Sequence, residues 1–150
     1  MKIFFPGSFN PFTKGHADIL ERLVRIFDFV VIGIGVNSDK PTSKEDSEQN
    51  KAAIEKYLEQ YNLDGKAEVI IYNGLSAEMA LKVSAGCMAR GVRTCSDYEY
   101  ETNLALANKA AFGIETLLIP ADPNLTFISS SIVRDLVKNG RKDIAANFLP

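Results

Sequence analysis

MKIFFPGSFNPFTKGHADILERLVRIF, residues 1–27, opens with a short apolar run at 3–5 and continues into a turn-rich segment holding Pro6, Gly7, Asn10, Pro11 and Gly15. A helical pattern follows, with Ile19, Leu20, Leu23, Val24 and Phe27 on one side. The order is strand, loop, helix. In an open α/β sheet the loop after the first strand lies at the carboxyl edge, where ligands bind. The start of the next helix presents unpaired backbone N–H groups and the positive end of its dipole, a setting that suits phosphate. The same turn carries Ser8, Thr13, Lys14 and His16, the last being the only histidine of the 150 residues. A lone histidine is often a surface or capping residue. Here a hydroxyl, a cation, a close-approach glycine and an imidazole stand together at one helix start.

Outward from this unit, strand and helix patterns alternate. Phe29–Val36, FVVIGIGV, is continuously apolar, as expected for a central parallel strand buried on both faces. Residues 37–50 are polar, with a proline and many charges, and read as a loop leading to a helix. That helix carries Ile54, Leu58 and Tyr61, and the turn Asp64-Gly65 follows. Residues 67–72 predict a third strand, Ser76 a cap for a helix with Met79, Ala80 and Val83, and 87–92 a short fourth strand. Residues 97–112 predict a long helix, 115–119 a fifth strand and 130–139 another helix. Parallel neighbours require crossovers, so the alternation implies an α/β fold: a doubly wound, five-stranded parallel sheet in a single domain, 1–150.

Composition narrows the function classes. An apolar content of 46% is enough for a core, and a net charge of -2 argues against a protein that coats nucleic acid electrostatically. Any anionic ligand must then be held by local donors. Cys87 and Cys95 form neither a CxxC pair nor a disulfide framework, and are expected to be ordinary thiols in a reducing, cytoplasmic compartment, with no metal site built from the chain. The amino terminus lacks the long apolar stretch of a signal peptide, and no apolar run is long enough to span a membrane.

Polar clusters fall where the strands are expected to end: Lys40 after the second, 73–76 after the third, 90–93 at the end of the fourth and 127–131 after the fifth. Thr13-Lys14-Gly15-His16 after a Pro-Gly-Ser-Phe turn resembles the signature of the HxGH-type nucleotidylyltransferases, whose first position is His or Thr. Arg90-Gly91-Val92-Arg93, then Asp97-Tyr98-Glu99-Tyr100-Glu101, and later Ile128-Ser129-Ser130-Ser131-Ile132-Val133-Arg134, resemble the blocks of the phosphopantetheine adenylyltransferase family over nearly the whole chain.

The resemblance implies a Rossmann-like nucleotidylyltransferase fold. It also implies an enzyme of coenzyme A biosynthesis in which 4'-phosphopantetheine attacks the α-phosphorus of ATP to release pyrophosphate. Mg2+ would be held mainly through the ATP phosphates, and the assembly would be a homohexamer. His16 and Lys40 are then the catalytic candidates. Ser8 would lie between the substrates, and Lys40, Ser76, Arg90 and Asn108 would meet phosphopantetheine. Phe9, Gly91, Val92, Arg93, Glu101, Leu125, Thr126, Phe127, Ile128 and Ser129 to Ser131 would lie toward ATP. The chemistry itself asks for no base: a phosphate oxygen is already ionised at neutral pH, so catalysis is alignment and charge stabilisation.

The chain departs from the family pattern at Asn10, where aspartate is usual, and at Lys40-Pro41, where a lysine is missing. Other readings stay open at this level. Lys40 is also compatible with a solvated loop. Arg90 and Arg93 could pair with Asp97, Glu99 or Glu101, and the serines could simply cap a helix. A sister nucleotidylyltransferase loading another phosphate, or a non-catalytic nucleotide-binding module, would share part of the pattern.

Overall fold

The computed structural model describes residues 1–36 and 44–150. Lys2–Gly7 (β1), Phe29–Val36 (β2), Ala67–Asn73 (β3), Cys87–Val92 (β4) and Glu115–Pro120 (β5) form one parallel sheet in the order β3-β2-β1-β4-β5. Helices Lys14–Ile26 (α1), Lys44–Gln60 (α2), Ser76–Lys82 (α3), Cys95–Phe112 (α4) and Ser130–Lys138 (α5) alternate with or follow the strands. The short α6, Lys142–Ala145, leads into a 3-10 turn, Ala146–Phe148. The expected α/β parallel sheet is therefore present. Strand order reverses between β1, which leads to β2 and β3 on one side, and β4, which leads to β5 on the other. Open α/β sheets bind ligands at such a switch point, outside the carboxyl ends of the two strands.

Period-two alternation explains the layering. Ile3, Phe5, Val30 and Ile32 point into a core shared with Leu20 and Leu23 of α1 and Ile54 and Leu58 of α2. Phe4 and Val31, one residue out of phase, enter a second core with Ala77 and Ala80 of α3. The central strands β1 and β2 thus bury both faces, which is why β2 reads as an unbroken apolar run. Gly33 belongs to this packing: a Cβ there would lie 2.2 Å from the Phe4 ring.

Four details differ from the sequence reading. The helix α2 begins at Lys44, inside the stretch read as loop. Its first turns lack apolar residues, so periodicity is silent, yet Lys, Glu and Gln are good helix formers. Tyr61 falls beyond α2 and is 48% exposed. Leu75, not Ser76, stands at the cap of α3, and the Ser76 hydroxyl instead pairs with the Tyr72 hydroxyl at 2.7 Å. The long fourth helix starts two residues earlier than expected, capped by Thr94, whose side chain accepts from the Asp97 N–H.

Candidate active site

The loop leaving β1 is built tightly. Phe9 has φ +47°, in the left-handed region that an aromatic residue rarely adopts. Its ring is buried and meets Phe5 and His16 edge-on, with centroids 5.2 and 5.0 Å away. A Cβ on Gly7 would come within 2.9 Å of that ring, so this glycine makes the room it occupies. Strained backbone of this kind persists where its surroundings hold it, and such places cluster at functional sites.

Thr13 caps α1, and His16, in its first turn, reaches back to it. The Thr13 backbone N–H donates to His16 Nδ1 at 3.1 Å, and Thr13 Oγ1 lies 3.1 Å from the same nitrogen. An amide N–H can only donate, so Nδ1 presents its lone pair and the proton of the neutral ring sits on Nε2. Burial first, then the positive charges of Arg93 and Arg90, hold the His16 pKa down to about 4. At neutral pH the ring is an uncharged donor at the start of a helix.

That donor opens on a cavity of about 300 Å³ at the switch point. Ser8 lines it from the β1–α1 loop, His16 from the first turn of α1, Arg90 and Gly91 from β4, Arg93 from the turn before α4, and Asp97 and Glu101 from α4 itself. Leu125, Ile128, Ser129, Ser130, Ser131 and Arg134 close the other side. Three arginines face two carboxylates, an excess of one positive charge with His16 neutral.

Both carboxylates hold arginines in place. Arg90 donates from Nε and Nη2 to Glu101 at 2.9 and 2.5 Å, and from Nη1 to the Pro6 carbonyl at 2.6 Å. The guanidinium has about five N–H donors, so three bonds leave about two for a ligand. Arg93 donates from Nε to Asp97 at 3.1 Å and from Nη1 to the Ile128 carbonyl at 3.2 Å. The pairing considered from sequence is thus real, and it fixes the cations at the cavity wall.

The start of α5 is docked onto the β1–α1 loop. Ser129 caps the helix by accepting from the Ile132 N–H at 3.2 Å, and Ser130 Oγ donates to the Pro11 carbonyl at 2.8 Å. Arg134 donates to the Asn10 carbonyl at 2.5 Å. Asn10 thus contributes its backbone here, an interaction that Asp would make equally. Two helix N-termini, those of α1 and α5, therefore share one cavity, and their N–H groups and dipoles favour an anion between them.

Most residues expected at a site are brought together, with some exceptions. The buried Val92 is absent from the cavity wall, as are Thr126 and Phe127. The Thr126 hydroxyl donates to the Pro123 carbonyl, and the exposed Phe127 ring packs edge-on against Phe148 at 5.9 Å. Ser76 at the start of α3 and Asn108 within α4 also stand outside the cavity. Lys40 lies outside the described residues. Arg134 and Asp97 line the wall without having been singled out as ligand residues. Arg134 was readable as the cation one helical turn beyond Ser130. Among the described residues no three His, Cys, Asp or Glu come together as a metal cluster.

The cytidylyltransferase-like family model matches residues 4–136. Phosphopantetheine adenylyltransferase of Porphyromonas gingivalis is 43% identical over 146 residues, covering 97% of this chain and 92% of that protein. The chain belongs to the phosphopantetheine adenylyltransferase family. The Bacteroides thetaiotaomicron member is 39% identical over 99% of this chain and 95% of its own length. A solved structure, the Francisella tularensis bifunctional NMN adenylyltransferase/ADP ribose pyrophosphatase complexed with AMP and a Mn ion, superposes with a TM-score of 0.63. It is 18% identical and covers 93% of this chain and 42% of its own, a likeness of fold alone. The chain is accordingly an adenylyltransferase of the nucleotidyltransferase class. The serine-capped α5 and the Thr13–His16 cap are two of the stretches singled out in the sequence, seen in three dimensions.

Proposed function

We propose that the cavity joins ATP and 4'-phosphopantetheine, and that the chain transfers the adenylyl group to give dephospho-coenzyme A and pyrophosphate. The observation that carries this reading is the tautomer of His16. Its Nδ1 is occupied by Thr13 at 3.1 Å, which leaves Nε2–H as the ring's donor beside Arg90 and Arg93. The acceptor's phosphate oxygen attacks the α-phosphorus, and the bond to the β-phosphate oxygen breaks as pyrophosphate leaves. Negative charge moves onto the non-bridging oxygens in flight, and a fixed neutral donor with nearby guanidinium groups stabilises it without reorganising.

In this reading Ser129 to Ser131 and Arg134 take the β and γ phosphates at the α5 start. Gly91, Arg93, Leu125 and Ile128 flank the nucleotide. Arg90, held flat by Glu101, offers its remaining donors to the acceptor side together with Ser8, Lys40, Ser76 and Asn108. Mg2+ would be held by the ATP phosphates and would supply neutralisation of their charge. The chain's cavity carboxylates are already engaged by arginines, which suits an ion held by phosphate and water more than by protein. The exposed Tyr98, Tyr100, Leu104 and Leu106 of α4, beside the edge strand β5, support assembly of several copies, and the homohexamer is the form we propose. No described helix is long and apolar enough to cross a membrane, and the proposed setting is the cytoplasm.

A coupled pyrophosphate assay tests the reading by offering ATP or CTP against phosphopantetheine, glycerol phosphate and nicotinamide mononucleotide. ATP with phosphopantetheine should be the pair that turns over. Turnover with another acceptor and none with phosphopantetheine would make the chain a sister enzyme.

A further inference from the structure

The His16 ring is held from three directions. Its Nδ1 is tied to Thr13, the Phe9 ring meets it edge-on at 5.0 Å, and Phe12 lies nearly parallel to it, centroids 5.9 Å apart and planes inclined by 19°. A bond to one nitrogen fixes a point and leaves the ring free to swing about it. A contact along the ring face removes that freedom. Phe12 is 4% exposed and stands outside the lining of the catalytic cavity.

Phe12 has its own support. Tyr57 of α2 meets it edge-on at 5.3 Å, and the Tyr57 hydroxyl donates to Glu21 of α1 at 2.6 Å. Burial and that bond raise the Tyr57 pKa, so the hydroxyl keeps its proton and the bond persists. A second cavity of about 250 Å³, bordered by Pro11, Phe12, Tyr57 and Leu149, opens beside the pair. A side chain next to such a space lacks packing atoms on one side and keeps its place through its other neighbours.

We infer that Phe12 is a positioning residue for His16, and that Tyr57 is the brace that keeps Phe12 flat against the imidazole. The inference rests on the reading of His16 as the donor to phosphorus in flight. Neither aromatic touches the reactants, so both act through the orientation of Nε2–H. A donor turned away by a small angle loses most of its effect on rate, because displacements of about 1 Å cost about a hundredfold.

The test uses the full chain. As the only histidine, His16 gives unambiguous ring signals in NMR. Phe12→Leu should lower kcat about tenfold to a hundredfold with KM for both substrates within about twofold. It should also shift the His16 ring signals and raise their titration midpoint above the value of about 4. The charged and titratable groups around that titration are Arg90 of β4, Arg93 before α4, Asp97 and Glu101 of α4, Arg134 of α5, and Tyr57 beyond Phe12. Tyr57→Leu should act in the same direction more weakly, and it carries the test if Phe12→Leu fails to fold. Tyr57→Phe, which keeps the ring, should retain kcat within about threefold, since it removes one hydrogen bond and no packing.

A purely structural role lowers Tm but leaves kcat of the folded enzyme and the His16 signals unchanged, and that outcome overturns the inference. If the wild-type chain turns over no ATP with 4'-phosphopantetheine, the functional reading fails. The NMR comparison then still decides whether Phe12 and Tyr57 hold the ring.

Discussion

The two wings of the sheet are held by different forces. On the β2 wing, the 13-residue α1 buries Ala17, Ile19, Leu20, Leu23 and Val24. On the β5 wing, the 18-residue α4 buries a single residue, Glu101, and that residue is an ion-paired carboxylate. The β2 strand is sealed through its middle, whereas β5 alternates between half-buried and exposed positions. Apolar burial fixes the wing that presents His16, and hydrogen-bonded charge fixes the wing that presents Arg90 and Arg93. A site built across the boundary gains a rigid neutral donor from one side and oriented cations from the other.

The largest expected effect breaks the apolar wing. Leu23→Ala, at a fully buried position, should cost about 2–5 kcal/mol in urea denaturation. On the charged wing, Glu101→Gln leaves Arg90 with a weaker partner and should cost about 2 kcal/mol. The same variant should raise the acceptor KM, because Arg90 loses its fixed orientation. Intact binding there would mean that Glu101 merely ties α4 to the sheet.

Another effect concerns protons. His16 is held near pKa 4 in the folded chain against an ordinary 6.5. Between those values the unfolded chain binds the proton and the folded chain does not. This contribution to stability is therefore complete above about pH 6.5 and is lost as pH falls toward 4, at up to about 1.4 kcal/mol per pH unit. Denaturation of wild type and His16→Gln across that range should converge on acidification. Parallel curves would show that the ring titrates normally. Least of all, Leu106→Ala on the exposed face of α4 should change monomer stability by less than about 0.5 kcal/mol.

Much of this division was legible in the amino-acid order, for physical reasons. The run 29–36 names a strand buried on both faces because nothing polar interrupts it, and the serine trio names a helix start because serine and phosphate favour the same N–H groups. The Arg90–Glu101 pair was visible only as one option among three acidic partners, since register between a strand and the next helix depends on tertiary packing. The first turns of α2 were hidden by the lack of apolar residues, and α6 by its brevity. Arg134 reaches the cavity wall because α5 docks on the Pro11 and Asn10 carbonyls, contacts with no local signature. Phe9, placed toward ATP by the resemblance, lines the cavity, and both it and Phe12 pack against the imidazole.

Turnover by His16→Ala in the pyrophosphate assay decides whether the imidazole works as described. The variant should fold with an unchanged α/β circular dichroism spectrum and show kcat lower by about a hundredfold to a thousandfold. A folded variant with near wild-type kcat would remove the imidazole from the chemistry and leave the two helix starts and the arginines to do the work.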